Sequence, residues 1–125
     1  MTILYQNEQI RQIENLVYDS ELVSEFELMQ SAGGAAFNAF KNKYPANLSI
    51  LVCCGKGNNA GDGLIFASLA HRAGYTVTIS LAYSSDQFSQ CAAQAFRQCQ
   101  QLNIKVEEFY PEQLQGVDII VDAML

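Results

Sequence analysis

Leu48-Ser49-Ile50-Leu51-Val52-Cys53-Cys54-Gly55-Lys56-Gly57-Asn58-Asn59-Ala60-Gly61-Asp62-Gly63 reads as an apolar run delivered into a glycine-rich turn. From Leu48 to Cys54 nearly every residue is apolar, the pattern of a central parallel strand covered on both faces. From Leu64 to Ala73 the pattern becomes helical. Cys54 to Gly63 is therefore a strand-to-helix turn. Its four glycines let a ligand approach the backbone, and the amides that open the helix favour an anion. Two adjacent carboxamides, Asn58 and Asn59, and one carboxylate, Asp62, sit in the same turn. It reads as the floor of a nucleotide site.

Working outward, Gly74 closes the helix, and Thr76 to Leu81 alternates as a second strand with Val77, Ile79 and Leu81 on one side. Ser84-Ser85-Asp86-Gln87 opens a further helix by capping, with Phe88, Ala92, Ala95, Cys99 and Leu102 as its buried stripe. Ile104, Val106 and Glu108 mark a short third strand. Pro111 starts a brief helix that Gln115-Gly116 ends, and Val117 to Asp122 is a fourth, mostly apolar strand. On the other side, Tyr44-Pro45-Ala46-Asn47 breaks a helix that begins after the Ser24-x-x-Glu27 capping box and runs to Lys41. Its apolar positions are Leu28, Ala32, Ala35, Ala36, Ala39 and Phe40. Gly33 and Gly34 cost this helix roughly 1 kcal/mol each, and serve either close approach of a ligand or an ordinary tight helix pair. Residues Asn7 to Tyr18 read as a shorter helix with Ile10, Ile13, Leu16 and Val17 on one face. Two helices followed by β-α-β-α-β-(short α)-β predict a parallel sheet wound on both sides. The strand Val117 to Asp122 would be an inner one, so its outer edge lacks a partner, and the expectation is a domain cut short on its C-terminal side.

The 125 residues make one domain. Half are hydrophobic, 16% are charged, and the net charge is -6, so the chain can bury a core but lacks the basic footprint of a nucleic-acid or anionic-membrane binder. No window approaches the roughly 20 apolar residues of a membrane span, and Met1 to Asn7 has neither the basic nor the apolar region of a signal peptide. Cys53 and Cys54 are adjacent, and Cys91 and Cys99 share a helix; with the single histidine, His71, they lack zinc-ligand spacing. Buried reduced thiols in a cytoplasmic protein are the expectation.

Several chemistries fit parts of the turn. Gly55 to Ala60 satisfies G-x-G-x-x-[GA] in the strand-to-helix context of dinucleotide binding. That reading needs an acid at the end of the next strand, where Leu81-Ala82-Tyr83-Ser84-Ser85 offers none before Asp86, so a hydride-transferring dehydrogenase is weakened. In a P-loop the lysine would stand at the other end of the turn; Lys56 either approaches a phosphate or is a solvated loop residue. One Asn beside glycine is ordinary turn chemistry, but Asn-Asn-Ala-Gly-Asp-Gly is poorly explained that way. If the last strand neighbours the first, Asp122 lies at the switch-point crevice. With an Asn oxygen and backbone carbonyls it would make an all-oxygen set for a hard cation; alternatively it caps the next turn.

Gly55-Lys56-Gly57-Asn58-Asn59-Ala60-Gly61-Asp62-Gly63 resembles the G-x-G-N-N-G-G-D-G signature of the NAD(P)H-hydrate epimerase family, the YjeF N-terminal domain. Leu28-Met29-Gln30-Ser31-Ala32-Gly33 resembles its L-M-E-x-A-G segment, and Val121-Asp122-Ala123-Met124-Leu125 the start of its D-A-[LIM]-[LF]-G-T-G segment. Ala60 stands where glycine is commoner, and Gln30 where glutamate is usual. The resemblance implies a Rossmann-like three-layer αβα fold, a homodimer, and interconversion of the R and S epimers of hydrated NADH and NADPH. It also implies a partner dehydratase acting on the S form, in many bacteria fused behind the domain. It assigns Asn58, Asn59, Ala60, Gly61 and Asp62 to substrate contacts, makes Asn59 and Asp122 ligands of a potassium ion, and places an acid/base aspartate beyond Leu125. Relatives that serve as non-catalytic binding or scaffold modules are the alternative.

Overall fold

The computed structural model describes residues 2–3 and 24–125. Among them the elements run β1 (Thr2–Ile3), α1 (Glu25–Lys41), β2 (Ser49–Cys54), α2 (Asn58–Arg72), β3 (Thr76–Leu81), α3 (Gln90–Gln101), β4 (Lys105–Glu108) and β5 (Ile119–Ala123). The strands form one parallel sheet in the order β1-β5-β2-β3-β4. The α/β reading and the neighbouring of the first long strand with the last are therefore observed. The helix expected over 7–18 lies outside the described residues.

Sheet direction decides which face each connection covers. β2, β3 and β4 step in one direction, so right-handed crossovers put α2 and α3 on the same face. There Ile50, Val52, Cys54, Val77, Ile79, Ile119 and Val121 join one core with residues of α1, α2 and α3. The step from β4 back past β2 to β5 reverses direction and crosses the other face. On that face Leu51, Cys53 and Ile120 form a second cluster, with Leu114 and Val117 packed on it. Fully burying an Ile, Leu or Val contributes about 1.5–3 kcal/mol, which makes doubly covered β2 the spine of the sheet.

Several boundaries differ from the sequence expectation. α2 starts at Asn58, not Leu64, so most of the expected turn is helix. α3 starts after Ser89, whose Oγ accepts from the Ala92 N–H at 3.2 Å, while Ser85–Gln87 is only a single 3₁₀ turn. Pro111–Leu114 is also 3₁₀. α1 begins where expected, with Ser24 Oγ accepting from the Glu27 N–H at 3.2 Å. Its buried face, however, is Met29, Ala32, Gly33, Phe37 and Phe40, and Ala39 is exposed. The helix is turned so that the Phe37 ring joins Phe40 in the core, where both pack with Phe66 and Tyr75 at centroid distances of 5.1–6.1 Å. Finally, the outer edge of β5 is not bare: Thr2 and Ile3 pair with Ile119 and Ile120. A two-residue strand carries no periodicity, so the pattern could not reveal it.

Candidate functional site

Hydrogen bonds that extend the ladder past the strand ends shape the carboxyl edge of the sheet. The Gly55 N–H donates to Ala123 O at 3.0 Å, the Ala82 N–H to Cys54 O at 3.0 Å, and the Phe109 N–H to Leu81 O at 2.9 Å. The first residues of four loops are thereby held side by side. Gly55 lies so close to the Met124 carbonyl that a Cβ could not be accommodated. At the opposite edge the register of β2 and β5 is clamped by Ser49 and Asp118: Asp118 Oδ2 accepts from the Ser49 N–H at 2.8 Å and from its Oγ at 3.1 Å.

The amino terminus of α2 opens onto the carboxyl edge. Gly57 is its N-cap, without a side-chain cap and with no acid in the first turn. A Cβ on Gly57 would stand 3.6 Å from Leu125 O, so the helix start and the chain after β5 face each other. Asn58 is exposed there, while Asn59 is 5% exposed and Ala60 fully buried. The glycines of this segment were expected to admit a ligand. Instead, a Cβ on Gly61 would meet the Met29 side chain, and one on Gly63 would stand 2.6 Å from Ala123 Cβ. Both serve helix packing within the protein. Asp62 is fully buried between these contacts.

Asp122 sits at the switch point, paired with Cys53 of β2. Strand alternation decides where its side chain goes. Ala123 meets Gly63, hence faces α2; Asp122 leaves on the opposite face, that of Cys53 and Ile120. Asn59, one helical turn before Gly63, is on the α2 side. The two residues thus approach the same carboxyl edge from opposite faces of the sheet. Asp122 Oδ1 accepts from the Met124 N–H at 3.1 Å, which is the turn-capping role the sequence left open. Burial and, secondarily, the Asp122 charge push the Cys53 thiol up to about 11.

No group of three or more His, Cys, Asp and Glu side chains that could hold a metal exists among the described residues. The donors at the edge are an amide oxygen, a carboxylate and strand-end carbonyls. That all-oxygen set fits a hard cation in kind. His71 lies in the last turn of α2, away from this edge. Sequence reasoning missed the contact of Lys56 with Tyr83, whose ring lies 4.9 Å from the ammonium nitrogen. No described helix is long and apolar enough to cross a membrane.

With 47% identity over all of this chain, a bifunctional NAD(P)H-hydrate repair enzyme Nnr of Coxiella burnetii is similar to it across 25% of its own length. An NAD(P)H-hydrate epimerase of Caenorhabditis elegans is 34% identical over 78% of this chain and 40% of its own. The chain thus spans a quarter to two fifths of these relatives. A crystal structure of yeast ynu0 (YNL200c) shares the fold, with a TM-score of 0.71 and 19% identity over 100% of this chain and 57% of that one. Residues 25–125 match the family described as YjeF-related protein N-terminus, and the chain belongs to that family.

Proposed function

We propose that the protein interconverts the R and S forms of hydrated NADH and NADPH, and that this chain supplies the α2 and β5 part of the site. The observation that carries the reading is the meeting of the uncapped α2 terminus with the end of β5 at the switch point, in a chain whose relatives are named epimerases and repair enzymes of NAD(P)H hydrate. The first-turn amides and the exposed Asn58 receive the pyrophosphate. Asn59 and Asp122 would hold a potassium ion, and its charge would offset that of the phosphates. Ala60, Gly61 and Asp62 set the position of this helix start rather than reaching out from it.

The epimeric carbon carries a hydroxyl and adjoins the ring nitrogen. The nitrogen lone pair expels the hydroxyl as its C–O bond breaks, a donated proton makes it water, and a planar cation remains. Water then adds to either face and returns the proton. An acid/base within hydrogen-bond reach is required; in this reading Asp122 serves the ion, and another residue exchanges that proton. A homodimer, a cytoplasmic location, and a fused or separate dehydratase acting on the S form complete the proposal.

The test is epimer interconversion by the full-length protein, followed by NMR in potassium and in lithium. Asp122→Ala is expected to lower the rate on the order of tenfold and to abolish the potassium dependence. Unchanged rate and unchanged ion dependence would remove Asp122 from the site. No interconversion by the wild type would overturn the epimerase in favour of a binding module.

A further inference from the structure

The carboxyl edge holds a cation whose role is not yet accounted for. Among the described residues, Lys41 ends α1 and Lys43 follows it, Arg72 ends α2, and Lys105 begins β4, so all four lie toward the amino edge. Arg97 stands midway along α3. Of the described cations, Lys56 alone is at the carboxyl edge, in a chain of net charge -6. Among the described residues the one ion pair is Lys105–Glu107, so no described carboxylate pairs with Lys56.

Its position is fixed by the sheet. Because the Ala82 N–H bonds to Cys54 O, the residues leaving β2 and β3 run together, and Lys56 comes to rest over the Tyr83 ring. Tyr83 is 45% exposed, so the ring keeps open surface. In doubly wound sheets the end of the strand after the first βα unit holds the adenosine ribose. An acid there would bond the ribose 2′-hydroxyl and repel a 2′-phosphate. Here the position offers a lysine on an aromatic ring, followed by the exposed hydroxyls of Ser84 and Ser85.

The geometry points to Lys56 and Tyr83 as the subsite for the adenosine end of the ligand, with Tyr83 stacking on adenine and Lys56 pairing with a 2′-phosphate, so that NADPH hydrate is preferred to NADH hydrate. This rests on the epimerase reading for the substrate, and on the sheet geometry alone for the nucleotide. It runs the dinucleotide from β3 across α2 to β5, with the hydrated ring beyond the switch point.

Two measurements on the full-length protein test it. One is kcat/KM for NADPH hydrate and NADH hydrate; the other is calorimetry with adenosine 2′,5′-bisphosphate and with AMP. The wild type should favour the 2′-phosphorylated member of each pair. Lys56→Gln should cut that preference about threefold to tenfold, acting on KM rather than kcat. Tyr83→Leu should weaken AMP and the bisphosphate alike. Equal use of both hydrates, with a ratio unmoved by Lys56→Gln, would overturn the subsite while leaving the epimerase intact. Lys56-dependent bisphosphate binding without epimerisation would support the subsite and sink the epimerase. Absence of both activities would overturn both.

Discussion

At the residue scale, the glycines show how the same residue type answers different demands. A Cβ on Gly33 would lie 2.6 Å from Ile65 Cβ and 2.9 Å from the Asp62 carbonyl oxygen, where α1 crosses α2. A Cβ on Gly34, its neighbour, would meet nothing within 4 Å. Gly33→Ala should therefore destabilise the fold by about 1–3 kcal/mol through overpacking, and Gly34→Ala should stabilise it by roughly 0.5–1 kcal/mol by improving helix propensity. Urea unfolding of the two variants checks this, and equal effects of the same sign would refute the packing assignment. The two glycines are adjacent in sequence with identical local patterns. Only the neighbouring helix distinguishes them, which is why both packing and ligand access stayed open for this pair beforehand.

At the scale of elements, the serine caps separate what local chemistry decides from what it merely permits. Ser24, Ser84, Ser85 and Ser89 all have the side chain for an N-cap. Ser24 and Ser89 take the role; the segment between Ser84 and Ser89 makes one 3₁₀ turn before α3 begins. Phe88 explains the delay, since extended backbone at that residue lets its ring pack on Phe96 at 5.4 Å. Ser89→Ala should cost about 1 kcal/mol in chemical denaturation and Ser85→Ala close to nothing. A larger loss at Ser85 would restore the earlier helix start. α2 misled in the other direction: two glycines in its first turns read as loop, yet they are the points at which the helix meets α1 and β5. The strand-helix order and most strand limits were legible, because period-2 and period-3.6 patterns are local.

For the whole molecule, the buried thiols couple folding to alkaline pH. Burial raises Cys53 from an ordinary value near 9.0 to about 11 and Cys99 to about 12, and Cys99 Sγ donates to Leu64 O at 3.2 Å. The folded state thus keeps protons that the unfolded chain releases. The contribution is intact below about pH 9 and is lost as the pH rises toward 11 and 12. The melting temperature should fall over that window, and the fall should be shallower in Cys53→Ala and Cys99→Ala. Identical slopes in the variants would refute the coupling. Native-state alkylation at neutral pH should likewise leave both thiols unmodified.

Local patterning determined the strand-turn-helix unit, the parallel α/β class, the apolar spine of β2 and the polar residues at the turn, because each depends on near neighbours along the chain. The tertiary structure decided the rest. Strand order brought Asp122 beside Cys53, alternation sent its carboxylate to the face away from α2, and pairing put Thr2–Ile3 on the outer edge. Close helix contacts turned glycines that read as ligand space into packing space. The physical reason is the same throughout: face and register depend on which segments meet across the sheet, and that is a property of contacts distant in sequence.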